Sequence, residues 1–254
     1  MIIGPVVLQV ASSVATITLN RPDNDNKIDG EMTYAIGEVC RILADDDELR
    51  LLVITASGSV FSANTQTTYD RDEGKDDTSI GPGAAVAALK IPVLVALNGD
   101  ATGPGLELAL AGDLRICTPS TRFGLDGLVK GVLPTDGGTQ RLPRLVGPAW
   151  ARDMLLTGRV VDANEALAIG LVNRVVPDSG SFDEAISELT AQIIGGSPIG
   201  ARYAKEAVRQ GMDLTLEQGL RLETDLNVIL QSTFDRAEGL KSFLEKRGPK
   251  FTGS

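Results

Sequence analysis

The stretch "IPVLVALNGDATGPGLELALAGDLRIC", Ile91 to Cys117, decides the fold. Pro92–Leu97 is an unbroken apolar run of strand length and predicts a buried strand. Gly103–Gly112 has the composition of a helix, and Asp113–Thr118 predicts the next strand. Strand, helix and strand in immediate succession predict an α/β chain. The Gly-Pro-Gly step at 103–105 reads in two ways. Pro104 suits the first position of a helix, whose N–H has no partner anyway. The glycines also suit a backbone that must approach something closely. Glu107 follows within the first turns, where an acid favours the helix dipole. It stands among Leu106, Leu108, Ala109 and Leu110, a poor place for a purely structural carboxylate, and is a candidate acid–base group.

Working outward, Val6–Val10 and Ser13–Asn20 predict paired strands. Ala15, Ile17 and Leu19 alternate with Thr16 and Thr18, the period of a half-buried strand. Asp29–Asp47 predicts a helix, Leu51–Thr55 a strand, 69–82 a polar mobile loop, and Ala84–Lys90 a helix. Leu142–Val146, Ala149–Thr157 and Asn164–Ala168 predict short helices, and Leu171–Val176 a strand. Beyond Phe182 the strand signal stops. Asp183–Ile194, Pro198–Gln210, Leu214–Gln231 and Asp235–Lys246 predict four helices. The expected division is a core over 1–195 and a helical region over 196–254.

Composition narrows the chemistry. The 254 residues carry 34 acids against 24 bases, a formal charge of −10. Such a surface repels phosphate backbones, so no nucleic-acid partner is expected. The chain has no histidine. Imidazole acid–base chemistry, Ser-His-Asp triads and histidine metal sites are excluded, and proton transfer falls to carboxylates, Tyr, Lys, Cys or water. Cys40 and Cys117 lie far apart in apolar stretches and read as buried thiols, with no metal site expected. No apolar run approaches the ~20 residues of a membrane span, and the first residues lack a signal-peptide pattern. The expected location is the cytoplasm.

Six stretches then carry a resemblance: "ATITLNRPDNDNKID", "LVITASGSVFSANTQ", the block from Ile91 to Cys117, "RFGLDGLVKGVLPTDGGTQRLPRLVG", "LTGRVVDANEALAIGLVNRVV" and "FLEKRGPKF". In that order, over nearly the whole chain, they resemble the crotonase, or enoyl-CoA hydratase/isomerase, superfamily. The resemblance implies a crotonase-like spiral of ββα repeats with a C-terminal helical trimerisation region, assembled as a homotrimer or a hexamer. It implies an acyl-CoA substrate, with coenzyme A as part of the substrate and no bound cofactor. Its members hold the thioester oxygen with two backbone N–H groups.

This chain departs from that pattern. The resemblance gives the first donor as the N–H of Thr65, beside Ala63, Asn64 and Gln66 in the substrate pocket. It puts the second donor at Pro104, which has no N–H, leaving the N–H of Gly105 as the nearest substitute. Glu107 matches one of the hydratases' two glutamates. Gly127 stands where the second belongs. Asp126 and Asp136 are the nearby acids, and Asp136 is taken as Glu107's catalytic partner. On the nucleotide side the resemblance points to Arg21 and Lys27, and to Phe243 and Lys246 reaching a neighbouring subunit's CoA. The leading expectation is a lyase or isomerase using carboxylate acid–base chemistry with enolate stabilisation. The alternatives are a CoA-independent C–C bond hydrolase of a cyclic β-diketone, similar to 6-oxocamphor hydrolase, and a non-catalytic acyl-CoA-binding homologue.

Overall fold

The computed structural model describes residues 1–63, 81–177 and 181–254. Strands β1 (Ile2–Ile3), β2 (Val6–Ala11) and β3 (Val14–Leu19) form an antiparallel meander. It is followed by α1 (Gly30–Ala44), β4 (Leu51–Ala56), α2 (Pro82–Ala88), β5 (Val93–Leu97), β6 (Ala101–Thr102), α3 (Pro104–Leu110) and β7 (Leu114–Cys117). Then come β8 (Arg122–Gly124), a short 3-10 turn at Gly127–Lys130, α4 (Arg141–Thr157), β9 (Val160–Asp162), α5 (Ala163–Ala168) and β10 (Arg174–Val175). Four helices end the chain: α6 (Phe182–Ile194), α7 (Pro198–Gly211), α8 (Leu216–Gln231) and α9 (Phe234–Glu245).

Seven strands form one sheet in the order β1-β2-β3-β4-β5-β7-β10, and β6-β8-β9 form a second. From β3 onward the large sheet is parallel, with Ile17 beside Ile54, Val53 beside Leu94 and Ala96 beside Ile116. The crossovers are α1 between β3 and β4, α2 between β4 and β5, and α3 between β5 and β7. Every residue of β5 is buried, as expected of a parallel strand covered on both faces. One face packs on α1 through Met32, Ile36 and Val39; the other packs on α6 through Leu189, Ile186 and Ile193. In β3 the expected alternation holds, with Ala15, Ile17 and Leu19 fully buried.

The second sheet is absent from the sequence reading. Its strands have two or three residues, too few for periodicity to register. The strand expected over Leu171–Val176 shrinks to Arg174–Val175, because Leu171 and Val172 turn inward from the end of α5 to fill the core. The two short helices expected over 142–157 are present within α4, separated at Gly147, whose φ 80° and ψ 159° are not helical, ahead of Pro148.

The helices α7 to α9 meet the core differently. They bury few apolar side chains. Instead Arg202 donates to the carbonyls of Asp47 and Leu49, Lys205 to that of Ile91, and Arg209 to that of Ala87. From the core, Arg50 donates to Phe251 O at 2.6 Å. Lys205 also pairs with Asp113 at 2.8 Å, and its burial lowers its pKa below the ordinary lysine value.

The tail is held by two buried acids of α9. Asp235 accepts from the N–H groups of Thr252 and Gly253 and from the Ser197 hydroxyl. Glu238 accepts from Arg247 and from the N–H of Lys250. The Arg247 guanidinium, then that N–H, pull the Glu238 pKa from 4.5 down to about 2. A depressed folded pKa stabilises above the unfolded value and loses that contribution as pH falls through the folded one. Glu238→Gln is therefore expected to lower the Tm at pH 7. The gap to the parent should narrow below pH 4.5 and close near pH 2 in melts across that range. A gap that widens on acidification would contradict this.

Candidate active site

The site is built where α3 begins. Asn98–Asp100 turns the chain out of β5, β6 pairs with β8, and the N–H of Gly103 donates to Gly124 O at 2.9 Å. Gly103 has φ 53° and ψ −128°, a conformation that a side chain would strain. That turn puts Pro104 in the first helical position. Gly105 then lies flat against Ser62. A Cβ on Gly105 would stand 2.4 Å from Ser62 O and 2.5 Å from Ser62 Cβ. Ser62 is itself fixed, its N–H donating to Asp100 O and its carbonyl accepting from Thr102. The glycine is required for this close approach. Among the described residues the buried Ser62 hydroxyl has no hydrogen-bond partner.

A small pocket opens beside this helix start. Gly103, Pro104 and Glu107 line one side, Leu125, Gly127 and residues 132–134 the other. Its wall is mainly apolar. Among the described residues, Glu107 is the only carboxylate lining it.

Glu107 is 2% exposed. Its Oε1 accepts from the N–H of Asp136 at 2.7 Å and of Gly138 at 2.9 Å. Burial raises its pKa above the ordinary 4.5, and the Asp136 charge adds to the rise. The N–H groups of Gly138, Asp136 and Thr135 pull the other way. The net result is a carboxyl that holds a proton more readily than one in water, the property asked of a group that must both take and return one.

Asp136 sits beside Glu107, but its carboxylate turns away from the pocket. Its Oδ2 accepts from Gly83 N at 2.6 Å and its Oδ1 from Ala84 N at 3.1 Å. Those are the N–H groups that an N-cap side chain satisfies in a helix, and the N-cap of α2 is Gly81, which has no side chain. Arg141 Nη1 donates to the Asp136 carbonyl at 2.6 Å and lies 4.0 Å from its carboxylate. Burial raises the Asp136 pKa, against the pull of Gly83, Arg141 and Ala84. Asp126 is half-buried at the head of the 3-10 turn and pairs with Lys130 at 2.6 Å.

The other candidate residues are spread around the fold. Thr65, Asn64 and Gln66 lie outside the described residues, as does most of the expected loop at 69–82. Ala63 is the last residue before that segment, its N–H donating to Asp25 O. Arg21 is held locally, donating to Lys27 O and Asp29 at 2.7 Å each. Lys27 is half-buried in the same loop. Phe243 is exposed on α9, and Lys246 ends that helix in the left-handed conformation. Neither lines the pocket.

The sequence reading passed over Asn26. It is fully buried with φ 51°; its Oδ1 accepts from Arg21 N, and its Nδ2 donates to Ser57 O and Val60 O at 2.9 Å each. It fastens the loop carrying Arg21 and Lys27 to the segment leading into Ala63. The available signal was an asparagine between a strand and a helix, a residue type that tolerates left-handed backbone.

The family model described as enoyl-CoA hydratase/isomerase matches residues 9–254. The chain belongs to the enoyl-CoA hydratase/isomerase family. Among its relatives, the (E)-benzylidenesuccinyl-CoA hydratase of Thauera aromatica is 38% identical over 98% of this chain and 100% of its own length. A crotonyl-CoA hydratase of Syntrophomonas wolfei is 33% identical over 97% of each. Among solved structures, an enoyl-CoA hydratase from Bacillus anthracis superposes with a TM-score of 0.90 at 32% identity, over 98% of this chain and 100% of that one. The crotonase fold is thus shown, and the chain is an enzyme of the enoyl-CoA hydratase family. Among its described residues no helix is long and apolar enough to cross a membrane, and no cluster of three or more His, Cys, Asp or Glu could hold a metal ion.

Proposed function

We propose that this enzyme adds water to, or removes it from, an enoyl-CoA thioester, with Glu107 as the proton-transfer group. The observation that carries this is a carboxylate buried at the pocket wall with one oxygen fixed by two main-chain N–H groups. With Oε1 so held, Oε2 is the oxygen left to exchange a proton. In the hydration direction Glu107 takes a proton from water as the water oxygen bonds to the β-carbon. The double-bond electrons move to the thioester oxygen, giving an enolate. Glu107 then returns the proton to the α-carbon, so one carboxylate serves both steps.

The enolate oxygen is held by the N–H of Thr65 and, in place of the donor lost at Pro104, that of Gly105. Gly105 is the second residue of α3 and belongs to the turn whose N–H groups have no partner within the helix. Arg21 and Lys27 meet the nucleotide end of CoA, and Lys246 and Phe243 reach the CoA of a neighbouring subunit. The assembly is a homotrimer or a dimer of trimers in the cytoplasm, with residues 196–254 as its helical region. Exposed Val208, Leu220, Val228, Leu240, Phe243 and Leu244 support this, since apolar side chains in such number along three helices suit an interface.

The test is calorimetric titration with CoA, followed by turnover of enoyl-CoA thioesters of increasing bulk. Binding with loss of the enoyl absorbance supports the reading. Binding without turnover of any of them overturns it.

A further inference from the structure

The Asp136 carboxylate meets two main-chain N–H groups of α2, while its own N–H meets Glu107. One residue thus joins the start of a crossover helix to the pocket carboxylate. The fit around it is close. A Cβ on Gly81 would stand 2.6 Å from the Asp136 carboxyl carbon, and one on Gly83 would stand 2.8 Å from Oδ2. Two glycines of the Gly-Pro-Gly at 81–83 thereby let α2 close over the carboxylate. Arg141, in the first turn of α4, grips the carbonyl of the same residue. Asp136 is 6% exposed, and its side chain is fully used in these contacts.

We propose that Asp136 is a positioning residue: anchored on the N–H groups of Gly83 and Ala84, it holds its main chain so that its own N–H and that of Gly138 fix Glu107 Oε1. This departs from the sequence expectation that Asp136 shares the proton transfer. A carboxylate already accepting from two N–H groups, turned from the pocket, is poorly placed to exchange protons with substrate. Removing the anchor leaves those two N–H groups without an acceptor and frees the 135–138 turn. Glu107 then loses its alignment, and a small misplacement of a reacting group is costly in rate.

The inference rests on Glu107 being the proton carrier, and its test separates the two. Asp136→Asn keeps the volume but turns an amide N–H toward an N–H; Asp136→Ala removes both acceptors. Hydrogen–deuterium exchange, which needs no substrate, reads the anchor directly. Exchange at Gly83, Ala84 and Gly138 is expected to rise in both variants while that of β5 stays at the parent level. If Gly138 stays protected in both, the coupling is wrong.

In turnover of crotonyl-CoA, kcat is expected to fall on the order of 10²-fold with KM little changed. The ascending limb of the pH profile should persist and move to lower pH, because a negative neighbour of Glu107 has gone. Among the described residues, the other charged groups about the pocket are Arg141 from α4 and the Asp126–Lys130 pair on the 3-10 turn; α2 carries none. Loss of the limb in Asp136→Asn makes Asp136 the proton carrier and overturns the inference, as does an unchanged kcat. Full activity in Glu107→Gln refutes the Glu107 assignment alone and leaves the exchange result to judge the anchor.

Discussion

Glu107→Gln is expected to lower kcat about 10³-fold on any enoyl-CoA that the parent hydrates, the middle of the range for losing a general acid–base group. The amide is nearly isosteric, and its carbonyl oxygen can still accept from Asp136 and Gly138. The fold is therefore expected to survive, with a Tm near the parent's. Burial raises the Glu107 pKa, so its ionised form is disfavoured in the folded protein. The sign follows: as pH rises between the unfolded and the folded pKa, ionisation favours the unfolded chain and folding stability declines. Glutamine removes that penalty. The parent's activity should rise with pH along a limb set by a carboxyl above 4.5, and the variant's residual activity should lack that limb. Activity within about tenfold of the parent across roughly four pH units around neutrality would remove Glu107 from the reaction.

Gly105→Ala is the second large effect. The added methyl would press on the carbonyl oxygen and side chain of Ser62, which is held by its pairing with Asp100 and Thr102. Neither partner is the free end of a flexible chain, so α3 must shift away from Ser62. Forced overpacking of this kind costs about 1–3 kcal/mol. The shift also carries Glu107 and the Gly105 N–H with it, so activity should fall more steeply than stability. Gly37→Ala is the matched control. Gly37 lies within α1, and its added Cβ would meet nothing within 4 Å. It should gain about 0.5–1 kcal/mol from helix propensity. Urea denaturation of both variants decides the matter. A Gly105→Ala protein as stable as the parent would mean that the Ser62 contact yields easily.

The alternation of strands and crossover helices was legible because most of these elements are long enough to carry a period or an unbroken apolar run. In β3 threonine alternates with buried apolar residues, β5 is apolar throughout, and α1 carries an apolar stripe through Met32, Ile36 and Val39. The four C-terminal helices were legible similarly, and the structure caps them with Ser181, Ser197, Thr215 and Thr233. The second sheet was illegible because its strands are shorter than any period. In the site, Glu107 stood out as an acid inside an apolar run, a local anomaly. Asp136 also stood out, but its role depends on residues 83 and 84, some fifty positions away, and no local pattern contains that distance. Asn26 was hidden for the same reason, its partners at Ser57 and Val60 being known only once the chain has folded.

The seam between the core and the last three helices has a mechanical meaning. A packed apolar interior is stiff and fails as a unit. Long side chains that reach main-chain carbonyl oxygens hold at separate points instead. Arg202, Lys205, Arg209 and Arg50 make such a mounting. The crossing that carries Glu107 is rooted in the packed part. Precision at the pocket therefore rests on the stiff interior, and the attachment of the outer helices rests on separate polar contacts.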